Sequence, residues 1–110
     1  MNIDDLVGSI TEGELREQLS HWVEEWKKDE KDVEPLSYML GKWHGNVWFQ
    51  DTGESKAFYK GLQEFRSIAI DGLGGLTLNE RLYWFGLFEQ WDSADDAGKL
   101  RIRSKLHANA

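Results

Sequence analysis

The sequence has no cysteine and one proline, Pro35, in 110 residues. Without cysteine there can be no disulfide framework, no thiolate zinc site and no thiol nucleophile. The N-terminus, Met1 to Leu6, lacks the basic and apolar regions of a secretory signal, and no apolar run approaches the roughly 18 residues of a membrane span. A soluble, cytoplasmic protein with no membrane partner is the expectation. Also missing are a Gly-x-Ser-x-Gly elbow, a paired-carboxylate motif and a phosphate-loop signature. The three histidines, His21, His44 and His107, stand in no chelating pattern. Catalysis, a bound metal and a cofactor are therefore not expected.

What is present is aromatic and acidic. Six Trp, five Phe and three Tyr within a 40% apolar composition supply a core for a single domain, 1–110. Six Trp exceed what packing usually needs, and Trp and Tyr are over-represented at contact surfaces. The net charge of −7 is uneven. Residues 1–55 hold thirteen acidic against five basic side chains, whereas residues 56–110 hold seven against eight. Such a distribution disfavours a phosphate-backbone partner for the first half and suits either a solubilising face or the steering of a basic partner.

Helix signals dominate the pattern, and the fold class is mainly α, with four or five helices packed around one at 77–91. Thr77 and Glu80 form a capping box, behind which Leu78, Leu82, Phe85 and Phe88 share a face widened by Trp84, Leu87 and Trp91. Gly86 in that helix costs about 1 kcal/mol relative to Ala, which the close approach of a neighbour's backbone or ring would explain. Asn2 can cap a short first helix over Ile3, Leu6, Val7 and Ile10. Thr11 and Glu14 repeat the capping-box spacing before Leu15, Leu19, Trp22, Val23 and Trp26, an apolar stripe at helical period. The opposite face carries Glu14, Glu17, Gln18, His21, Glu24, Glu25 and Lys28, with Glu24 and Lys28 spaced for an ion pair.

Pro35 suits the first position of a short helix that Gly41 ends. Residues 42–50 then read as an irregular aromatic loop around Gly45-Asn46. Asp51-x-x-Glu54 caps a helix with Phe58, Leu62, Phe65 and Ala69 on one side, and a small β-hairpin near 43–59 is the competing reading. Asp71 to Leu76 is a glycine-rich connection, and Ser93 can cap a last helix that ends in Lys99, Arg101, Arg103, Lys105 and His107. Those four Lys and Arg against a net −7 would bind nucleic acid only weakly, and no nucleic-acid partner is expected.

The segment Leu76 to Asp92 resembles a Leu-Thr-x-Asn-Glu-Arg-Leu-x-x-x-Gly-Leu-x-x-x-x-Asp ending of small, mostly uncharacterised bacterial proteins. Short acidic proteins of this kind look like the immunity proteins of toxin systems, which bind and block a cognate toxin. The resemblance implies such a role but transfers no functional residue. The functional expectation is a non-catalytic protein-binding module, an immunity or inhibitor protein for a basic toxin or enzyme. Its partner would lie against the acidic helix 12–31 and the loop 42–50, touching Glu17, Glu24, Glu25, Trp43 and Trp48. Two alternatives are a small-molecule or enzymatic pocket of Trp43, His44, Trp48 and Gly72–Gly75, in which His44 pairs with Asp51 or Glu54, and a homodimer that buries the spare Trp.

Overall fold

The computed structural model describes residues 1–108, and five of the seven α-helices among them begin at a side chain that accepts from a free first-turn amide. Helix α1 spans Ile3–Gly8, with Asn2 and Asp5 forming a reciprocal capping box. Helix α2 is Gly13–Lys28 and α3 is Val33–Asn46, N-capped by Asp32. Helix α4, Thr52–Phe65, is capped by Asp51, whose side chain accepts from the amides of Gly53 and Glu54. It widens into a π-helical segment, Arg66–Asp71, followed by a 3₁₀ turn at Leu73–Gly75. Helices α5 (Leu78–Trp84), α6 (Phe88–Ser93) and α7 (Asp96–Lys105) complete the chain.

The mainly α expectation holds, with seven α-helices among the described residues rather than four or five, and no strand there. The segment 43–59, for which a hairpin was the competing reading, is the end of α3, a short connection and the start of α4. Thr77 and Glu80 do form their capping box, but the helix expected over 77–91 breaks after Trp84. Gly86 adopts φ +64°, a left-handed conformation that glycine enters without a Cβ penalty. A Cβ there would meet the Asp4 carboxylate and approach the Lys27 amine, so the close neighbours are charged side chains and not the backbone or ring that was expected. The resulting turn is what buries Phe85 and Leu87 together.

Four boundaries differ, each for a contact or cap that the structure identifies. Thr11 does not cap α2; its amide and hydroxyl both donate to the Glu54 carboxylate, while Glu12 accepts from the Gln50 amide, so the starts of α2 and α4 are tied together. Pro35 is the third residue of α3, still among the positions whose amides lack an intrahelical acceptor. Gly41 does not end that helix, because it makes room for the Arg66 guanidinium, which donates to the Ser37 carbonyl at 2.9 Å. Residues 42–46 of the expected loop are accordingly helical. The cap of α7 is Asp95, accepting from Gly98, and Ser93 instead closes α6 by donating to the Glu89 carbonyl.

The core runs along the whole molecule, whose principal extents are 44 × 25 × 19 Å. Helix α1 supplies Ile3 and Leu6, with Ile10 just beyond it, and lies against α4 at the buried Gly61, where a Cβ would press on Leu6. From α2 come Leu19, Val23 and Trp26; from α4 and its extension come Phe58, Leu62, Phe65 and Ala69, all on the stripes expected of them. No helix among the described residues is long and apolar enough to cross a membrane.

Candidate functional site

Helices α2 and α3, joined by the connection 29–32, form an antiparallel hairpin. The pairing of Trp26 with the connection at one end and of Gln18 with Trp43 at the other requires that direction: the indole N–H groups donate to the Asp32 carbonyl at 2.7 Å and to Gln18 Oε1 at 2.9 Å. Between the two helices, on the outer side, runs a groove with two hollows. The one nearer the connection, about 450 Å³, lies between Trp22 and Glu25 on α2, Asp29 in the connection, and Pro35, Leu36 and Met39 on α3, with Lys31 at its end. The other, about 390 Å³, is walled mainly by apolar surface of Trp22, Tyr38, Met39 and Trp43 beside Lys42. Trp22 and Met39 belong to both and form the saddle between them.

Much of this wall is left to water. Trp22 is 49% and Tyr38 71% exposed, although Trp22 stands on the apolar stripe of α2. It lies at the edge of that stripe and is half covered; among the described residues its one aromatic neighbour is His21, with ring centres 5.5 Å apart. The acidic face of α2 is displayed as expected: Glu14, Glu17, Glu24 and Glu25 are all exposed. Glu24 does not pair with Lys28 but lies 3.4 Å from Lys27, and Glu14, Glu17 and Glu25 make no salt bridge among the described residues.

The two tryptophans expected at the surface part company. Trp48, in the connection between α3 and α4, is 87% exposed. Trp43 is 7% exposed and packs edge-on against Phe49 and Phe58, so it is a core residue that only edges the groove. Burial leaves it no free face to serve as a principal contact. His44 stacks on Phe58 at 5.4 Å and lies beside Tyr59, with its Nε2 buried and unpartnered. It does not reach Asp51 or Glu54, whose carboxylates serve the α4 cap and Thr11. Neither hollow is lined by His44, Trp48 or Gly72–Gly75, and the pocket imagined from them is not assembled in either. Among the described residues no three His, Asp or Glu side chains are grouped to hold a metal. Trp22, Tyr38 and Met39 are the residues that sequence reasoning missed; the signal for Trp22 was its place at the rim of an unusually wide apolar face.

One end of the groove is braced from behind by α7. Lys105, 2% exposed, donates to the carbonyls of Asp29 and Lys31 and to the Asp29 carboxylate, and its amine stands 4.3 Å from the Trp26 ring centre. Burial pushes the Lys105 amine below its ordinary pKa, and the Asp29 carboxylate opposes that shift. Beside it His107 meets Asp32 at 2.8 Å, and this hydrogen bond is the main reason the Asp32 carboxyl lies below its usual value. Arg101 donates to the Lys28 carbonyl, while Lys99 and Arg103 stand over the Trp91 ring. The basic C-terminal segment is thus engaged with its own chain.

Compared with known proteins, the chain matches no protein-family model, no curated protein and no solved structure.

Proposed function

We propose that the chain is a non-catalytic protein-binding module whose partner docks on the outer face of the α2–α3 hairpin. The observation that carries this reading is the exposure of Trp22, Tyr38 and the edge of Met39 along one groove beside the unpaired Glu25, with Glu14 and Glu17 further along the same helix. Contiguous exposed aromatic surface rimmed by polar groups is the composition of a contact site, since Trp and Tyr give large area at low entropic cost. The acidic rim selects a basic partner and speeds its approach. An immunity or inhibitor protein that covers a basic toxin or enzyme has this form, with Glu17, Glu24, Glu25 and Trp22 as contacts and Trp48 at the periphery.

The test is parallel affinity capture with the tagged wild-type chain and Trp22→Ala, each washed at low and high salt, followed by mass spectrometry. The expected result is a basic protein held by the wild type at low salt, released at high salt and missing from the variant. Identical captures by both chains would refute the docking site.

A further inference from the structure

The two hollows of the groove differ in chemistry, and the difference specifies what a partner must carry. Resting on the reading of this face as a docking site, we infer that its occupant is an α-helical segment of the partner with a cationic side chain for the Glu25–Asp29 hollow and an apolar side chain, on the same face, for the Tyr38–Met39 hollow.

The cationic anchor follows from the first hollow. Among the described residues Glu25 has no ion pair, and of Asp29 only the Oδ1 oxygen is committed, to Lys105 and to the Lys31 amide. Trp22 offers a half-exposed ring face between them and the saddle, where a guanidinium can stack while its fork meets a carboxylate. The Leu36 and Met39 side chains line the same hollow and suit the apolar stem of such a residue. Lys31 at the end of the hollow opposes a cation, and Lys105 already offsets part of the Asp29 charge, so Glu25 is the deciding carboxylate. In the second hollow the walls are almost wholly apolar and Lys42 is turned over the Tyr38 ring, 5.9 Å from its centre. A second cation is repelled there and an apolar side chain is accepted.

Helical form follows from the hairpin itself. The groove runs mainly between two α-helices, whose interior backbone groups bond within each helix, and no strand is present among the described residues to which an extended partner could bond its main chain. A partner that meets side chains only is best served by a helix, which satisfies its own backbone. The linings of the two hollows are centred about five residues apart on α3, roughly 7.5 Å at 1.5 Å per residue, a separation between one and two helical turns.

The probes are capped, alanine-rich helical peptides carrying one Leu and one Arg, titrated into the ¹⁵N-labelled full chain. Pairs at i, i+4 and i, i+7 share a face; the control at i, i+2 does not. The expected result is that a same-face peptide shifts the Trp22 indole and the Glu25 and Met39 amides. It should bind roughly three- to tenfold tighter than its Arg→Gln form and than the control. Glu25→Gln should erase that margin and Lys31→Met should widen it. The inference is overturned if no peptide shifts these signals at millimolar concentration, if the Arg→Gln peptide binds as well, or if both chain variants leave the margin unchanged. Should the peptides fail while Trp22→Ala still loses the captured protein, the docking face stands and only this account of its occupant falls.

Discussion

The outer face of α2 and the inner face of α7 carry opposite charge, and they treat it in opposite ways. On α7 and just beyond it, Lys99, Arg101, Arg103, Lys105 and His107 each engage an aromatic ring, a carbonyl or a carboxylate of the same chain. On α2, Glu14, Glu17 and Glu25 engage nothing among the described residues. Cations here hold the fold together and anions face outward. The surface is therefore more polarised than the composition, in which residues 56–110 look balanced. Charge that a fold leaves unused over one helix is available to steer a partner.

The largest effect that can break this comparison belongs to Lys105. Lys105→Met keeps the packed stem but strips three acceptors of their donor, and should cost about 2–4 kcal/mol in urea unfolding, as removal of one partner from a buried charged network does. A change below 0.5 kcal/mol, the range of an ordinary surface substitution at about ±0.5, would mean that the buried cation is not structural. Gly86→Ala comes next: it forces a Cβ into a left-handed residue against Asp4 and Lys27, and about 1–2 kcal/mol should be lost.

Those two residues also mark where the sequence was legible and where it was not. Caps at Asn2, Asp51 and Thr77 were readable because the side chain and the amide it serves lie within three residues. So was the Phe58–Leu62–Phe65–Ala69 stripe, because period alone decides it. Gly86 and Gly41 were not, since the apolar pattern continues past both and their roles depend on Asp4 and Arg66, each distant in sequence. Thr11 was misleading for the same reason: its cap-like spacing was overridden by Glu54. For the site, the acidic face of α2 was legible from helical geometry. The exchange of roles between Trp22 and Trp43 was not, because it depends on which residues the fold brings against each ring, Phe49 and Phe58 in the case of Trp43.

A smaller effect concerns pH. The Asp32 carboxyl is held below its usual value of 3.8 first by the hydrogen bond to His107, so ionised Asp32 stabilises the fold at pH values above its ordinary range. That contribution is lost as the pH falls through the depressed folded value. Glu80, held low by the Thr77 amide and hydroxyl, adds to the same acid-side loss. His107→Ala should flatten the fall in stability between about pH 5 and 2, measured by urea unfolding at a series of pH values, without steepening it anywhere in that window. An unchanged slope would show that the α7 end of the comparison does not depend on this pair.

The smallest stability effects belong to the displayed side. Glu25→Gln and Trp22→Ala should each shift unfolding by no more than about 0.5–1 kcal/mol, because neither side chain is enclosed. This near-neutrality is what makes them decisive for function. The most direct test of the account is the capture comparison between wild type and Trp22→Ala, made after both have been shown to unfold at similar urea concentration. Loss of a basic, salt-released partner from a variant that remains folded is the predicted result. Retention of that partner with unchanged salt sensitivity would contradict the assignment of the α2–α3 groove as the binding face.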